Sequence, residues 1–166
     1  MIAFLACELF IVVMGGEWLS FTSSLKVIGL LALSVTLSST INLFFTFLVK
    51  TQSAFSTLNT IVGTAIGFLC GVYVPMVALP DFMQKVIMFF PISHTTVLLR
   101  DVLTEKSIAH IFANNIEAAN TYKVNFGVTY ELNNQVISHS TSYLFILVTI
   151  LVMTLISSLF FTKKTN

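Results

Sequence analysis

The chain has 166 residues, of which 56% are hydrophobic and 9% charged, with a net charge of +1. A soluble domain carries about a quarter charged residues, and sixteen Phe against eight Lys plus Arg leave no basic surface for nucleic acid and no acidic tail. With a mean hydropathy of +0.94, the composition is that of an integral membrane protein.

Residues 2–14 are apolar, yet only about two-thirds of the roughly 20 residues that cross a bilayer core. The basic n-region and small-residue cleavage site of a signal peptide do not appear in them. Either the segment continues through Gly15 and Gly16 to Trp18, an interfacial anchor, or it is the remainder of a helix from a longer protein. Truncation is the expectation. Gly15, Gly16 and the polar residues 17–26 should end a first span of residues 2–18.

Residues 27–49, 53–79 and 140–162 contain no charged side chain. The second span, residues 27–49, is rich in hydroxyls: Ser34, Thr36, Ser38, Ser39, Thr40 and Thr46, with Asn42 among them. These could line a polar route, but bonding back to the helix's own carbonyls is favoured. Lys50, Thr51 and Gln52 form a short polar turn, so the third span, residues 53–74, should run antiparallel to the second. Pro75 and Pro80 end regular helix there. Residues 81–90 are too few to cross and lie between Pro80 and Pro91, so they read as a re-entrant or interfacial helix. A second short helix follows over 93–103, ending in Arg100 and Asp101. Residues 104–139 form a polar loop with six Asn, in which Tyr122, Val124, Phe126, Val128 and Tyr130 alternate as in a half-buried strand. The last span is 142–161, followed by Lys163 and Lys164.

The fold class expected is therefore an all-α integral membrane protein, about four transmembrane helices with a short re-entrant outer pair before the last. Lys50, Lys163 and Lys164 flank spans on one side and Lys26 on the other, which puts both termini and the Lys50 turn in the cytoplasm.

Candidate functional residues follow from the same reading. Gly63, Gly67 and Gly71, spaced by four, would share one helix face that lets another helix backbone approach, within the monomer or between subunits. Asn59 lies one turn earlier on that face, and Asn42 is its counterpart in the second span; both should face the bundle. Glu8 is the one acid inside an apolar run, where a charge usually meets a partner or a wet path. Glu8, Asn42 and Asn59 are thus candidates for a translocation path. Cys7 and Cys70 read as buried side chains rather than a disulfide or a metal site, and His94, His110 and His139 as surface or interfacial histidines. The sequence contains no phosphate-binding GxxxxGK loop, no HExxH and no nucleophile elbow. No enzyme activity, cofactor or metal is expected of it.

Residues 47–103 resemble the C-terminal half of a bacterial ABC exporter permease of the type-2 class. The resemblance is carried by a Gly-x-Tyr-x-Pro element (Gly71, Tyr73, Pro75), a Leu-Pro pair (Leu79, Pro80), a short apolar helix, a Pro-x-Ser-His element (Pro91, Ser93, His94) and Arg100. It implies six spans in the whole protein, re-entrant outer helices before the last span, and a dimer of two permease copies in the bacterial plasma membrane. It also implies a cytoplasmic ATP-binding cassette subunit that powers export of lipids, polysaccharides, peptides or drugs. By the same resemblance Tyr73, Pro75, Pro80, Pro91, His94 and Arg100 belong to an outer gate, and Lys50, Thr51 and Gln52 are the remaining cytoplasmic coupling turn. The first two spans, with the main coupling element, have no counterpart here. The alternative is a small four-span accessory or immunity protein that binds another transporter and moves nothing; a membrane-embedded enzyme ranks third.

Overall fold

The computed structural model describes residues 2–14, 18–71, 73–113, 115–132 and 135–165. The helices are α1 (Ile2–Val13), α2 (Phe21–Leu48), α3 (Gln52–Leu69), α4 (Asp81–Phe89), α5 (Pro91–Ile111), α6 (Ile116–Asn125) and α7 (His139–Thr165). A single 3-10 turn, Met76–Ala78, precedes α4, and two short strands, β1 (Glu131–Leu132) and β2 (Gln135–Val136), pair antiparallel before α7. The protein is all-α, apart from that ladder.

Among the described residues two helices are long and apolar enough to cross a membrane, Phe21–Leu48 and His139–Thr162. A third candidate arises if α4 and α5, bent by 94° at their junction, count as one span. The exposed residues of α7 include Leu144, Leu147, Leu151, Leu155 and Leu159. They recur at helical spacing, a stripe that water would not tolerate but acyl chains would. α1 is apolar but has 12 residues. α3 has 18 residues and is diluted by Gln52, Ser53, Ser56, Thr57, Asn59 and Thr60.

Several boundaries differ from expectation. α2 begins at Phe21, since nothing between Ser20 and Lys26 breaks a helix, and so takes in most of the polar stretch expected as loop. Gly15, Gly16 and Glu17, expected to end the first span, lie outside the described residues. α3 stops at Leu69 because Gly71 turns the chain at φ +62°, a conformation open to glycine. α5 runs to Ile111, past the expected end at 103, because residues 104–111 hold no breaker. The strand expected across Tyr122–Tyr130 is instead the second half of α6 and its C-terminal turn. Asn115 caps α6 by accepting from the Ala118 amide (2.9 Å), and the Tyr122 and Phe126 rings stack at 4.5 Å. An i, i+4 pair on a helix is also two steps of an alternating pattern, so alternation alone could not separate the two. α7 begins three residues before the expected span. Of the cysteines, both free, Cys70 is buried but Cys7 is exposed on α1.

The core is a three-helix packing of α2, α5 and α7 around Leu30, Leu37, Leu98 and Ile146. Phe47 and Phe160 stack near the far ends of α2 and α7 (6.4 Å), whereas the starts of both helices lie beside the second half of α5. There Lys106 Nζ donates to the Trp18 carbonyl (3.5 Å) and Asp101 pairs with His139 (3.7 Å). α2 and α7 therefore run parallel, with α5 antiparallel to both. The Lys50 turn and the end of α7 share one end of the bundle; Trp18, α6 and the β ladder share the other. A second cluster, Met76, Ile87, Val97 and Tyr130, packs the 3-10 turn and Tyr130 onto the α4–α5 pair.

Candidate functional site

The α4–α5 hairpin turns at Phe90, whose backbone is extended (φ −88°, ψ 117°), with Pro91 in the first turn of α5, where a missing N–H costs nothing. Carbonyls at the end of α4 lose their helical partners at such a bend. Side chains of α5 replace them. Ser93 Oγ lies 2.6 Å from the Ile87 carbonyl and 2.7 Å from that of Phe90, sharing one proton between them. His94 Nε2 lies 2.7 Å from the Met88 carbonyl, which can only accept, so this nitrogen carries the proton. Nδ1 is then the acceptor for the Ser142 hydroxyl of α7 at 3.0 Å. The His94 ring meets Tyr130 edge-on (5.5 Å) and Phe145 (4.8 Å). His94, expected at a surface or interface, is 3% exposed, because the bend supplies a partner for one nitrogen and α7 for the other. Burial pushes the Tyr130 phenol up to about 12.

Below this corner, Arg100 grips two helix ends. Its Nη2 donates to the Gly71 carbonyl just beyond α3 (2.7 Å) and its Nη1 to the Phe126 carbonyl at the end of α6 (3.0 Å). The next residue, Asp101, pairs with Lys123 of α6 and His139 of α7, each at 3.7 Å. Asp101, Glu117, Asn120, Lys123, Glu131 and His139, with Ile116, Val124, Val136 and Ile137, border an open cleft of about 970 Å³ on this face.

The expected gate residues thus divide. Pro91, His94 and Arg100 belong to the hairpin and its clasps. Pro80 precedes α4, its carbonyl accepting from Met83 and Gln84 (2.8 and 3.1 Å). Pro75 starts the 3-10 turn and accepts from Ala78 (3.0 Å). Tyr73 is exposed, its ring edge-on to Phe68 (5.2 Å) and lying where a side chain on Gly67 would go. Gly67 thus makes room for the protein's own tyrosine. Gly63 and Gly67 share a face of α3, where nothing lies within 4 Å of a methyl group built on Gly63, and Gly71 falls beyond the helix.

Nor are the expected path residues assembled. Glu8 is the one described residue of α1 that is buried (5% exposed). Its Oε2 accepts from the Leu19 amide at 3.2 Å, while Oε1 has no partner among the described residues. Asn42 lies some 30 Å away, 21 residues along α2 from Phe21, exposed and donating to the Ser38 carbonyl (3.0 Å). Asn59 is half-buried on α3. The hydroxyls of α2 follow the back-bonding reading: Ser34, Thr36, Thr40 and Thr46 donate to carbonyls one turn earlier, at 2.7 to 3.1 Å. In the turn, Lys50 and Gln52 are exposed and Thr51 caps α3 by accepting from the Ala54 amide (3.3 Å).

Sequence reasoning missed Ser142, Tyr130 and Gly127 as partners of this site. Gly127 carries the mark of a helix C-terminus; nothing local marks Ser142 or Tyr130. Comparison with protein-family models, curated proteins and solved structures finds no match for this chain.

Proposed function

We propose that this chain is the permease portion of an ATP-binding cassette exporter, with residues 2–18, α2, α3 and α7 as four spans and the α4–α5 hairpin as part of an outer gate. The observation that carries the reading is the hairpin itself. α4 has nine residues and is about 14 Å long, under half of a 30 Å hydrocarbon core. The second half of α5 carries Arg100, Asp101, Glu105, Lys106 and His110 and cannot lie in lipid. The hairpin therefore dips in and returns to the face it came from. On α4, Phe82, Val86 and Phe89 are exposed at helical spacing and would face acyl chains.

Supporting the four-span topology, the Lys50 turn and the basic end of α7 share one end of the bundle, the cytoplasmic one by the lysine rule. There a partner ATP-binding subunit would meet Lys50, Thr51 and Gln52. A second copy, or the spans of a longer protein, would cover α1 and α3, whose outward faces are open. The accessory-protein reading uses the same open faces but gives the hairpin no task.

Tagged chain extracted in mild detergent from its own bacterial plasma membrane should bring down a subunit that photolabels with azido-ATP. Lys50→Glu should reduce that recovery. A preparation with no nucleotide-binding subunit overturns the exporter reading.

A further inference from the structure

We propose that Arg100 is a positioning residue that clasps the outer ends of α3 and α6, so that the two helices open and close as one unit. This deepens the exporter reading and rests on it only for the consequence in transport.

Both helices end in the same way. Gly71 at φ +62° and Gly127 at φ +64° each turn the chain into the left-handed region. Each amide donates to a carbonyl three residues back, Phe68 and Val124, at 3.1 Å, and Val128 closes the α6 turn on Lys123 at 2.8 Å. Each end therefore presents free carbonyls and a partial negative charge. The Arg100 guanidinium takes one carbonyl from each end, at 2.7 and 3.0 Å. Its donors are fixed in one plane, so holding both carbonyls also sets their mutual position. A flexible ammonium would not impose that.

Beside the clasp, α3 packs Leu69 against the second cluster and α6 meets the 3-10 turn. Neither α3 nor α6 contains a buried residue. α5 is the element α3 chiefly meets, and Asp101 adds one ion pair to α6 through Lys123. α3 is about 27 Å long and starts at the Lys50 turn. A shift at that turn would therefore reach α6 and the hairpin through the clasp.

Hydrogen exchange on the full chain in lipid nanodiscs tests this without a partner or a substrate, so its outcome is separate from the search for an ATP-binding subunit. In Gly127→Ala the new methyl would lie 3.0 Å from Arg100 Nη1 and from Met76 Cγ, in a backbone region that suits glycine. Exchange should quicken at Val128 and Thr129, and also about threefold or more at Cys70 and Gly71, far away in sequence. Arg100→Gln should speed both ends about tenfold and abolish the cross-effect of Gly127→Ala. Arg100→Lys should give an intermediate, joint change with α2 and α7 unaltered. If Arg100→Gln loosens the whole chain, Arg100→Lys decides. Loosening of one end alone, no change in Arg100→Lys, or a Gly127→Ala effect confined to α6 overturns the clasp.

Discussion

His94 sits where three segments meet, and its two nitrogens have different tasks. Replacing it with Ala strands the Met88 carbonyl and the Ser142 hydroxyl and opens a cavity between Tyr130 and Phe145. A loss of about 2–4 kcal/mol is expected, read as a fall in the detergent-denaturation midpoint. Ser142→Ala removes only the hydroxyl and should cost about 1–2 kcal/mol. No loss in Ser142→Ala would mean that the hairpin is not tied to α7 through this bond. Tyr130 gives a pH signature. Its phenol, near 10 in an unfolded chain, is pushed up to about 12 by burial. Between those values the native state keeps a proton that the unfolded state has lost. Its contribution is fully present below about pH 10 and fades as pH rises towards 12, by roughly 2–3 kcal/mol. The denaturation midpoint should thus fall more steeply over that window in the wild type than in Tyr130→Phe.

At the scale of elements, the bend between α4 and α5 has two causes that can be separated. Proline resists continuing a helix from α4, and the Ser93 hydroxyl gives the Ile87 and Phe90 carbonyls at the bend a further donor. Pro91→Ala alone should keep the hairpin, because Ser93 still occupies the Ile87 and Phe90 carbonyls. Pro91→Ala with Ser93→Ala should straighten it, lengthening the distance between spin labels at Lys85 and Glu105, both exposed. If Pro91→Ala suffices, the serine is dispensable. α3 offers a second contrast. Gly67→Leu collides with the Tyr73 ring and should be rescued by Tyr73→Ala. Gly63→Leu meets open space within the chain, so any loss it causes reports another polypeptide against that face.

For the whole molecule, the parallel course of α2 and α7 fixes which loops share a side. With the native cysteines replaced, Asn115→Cys should react with a membrane-impermeant thiol reagent in intact cells, and Thr51→Cys should react only after lysis. The reverse pattern would invert the orientation read from the lysines, while labelling of both in intact cells would break the packing of α2 against α7.

The membrane class, the apolar runs of α2 and α7, and the break at Phe90 and Pro91 are legible in the order of amino acids. All of these rest on short-range terms: transfer of side chains into lipid, and the φ and missing N–H of proline. Glycines stand at both left-handed helix ends, Gly71 and Gly127, although alternation and an i, i+4 pair look alike over five residues. Where the polar groups find partners is legible only once the helices are packed. Ser142 lies 48 residues from His94, and the carbonyls of Gly71 and Phe126 lie 29 and 26 residues from Arg100. Such pairings depend on the packing of α2, α5 and α7, because a buried donor must meet an acceptor wherever the packed helices bring one.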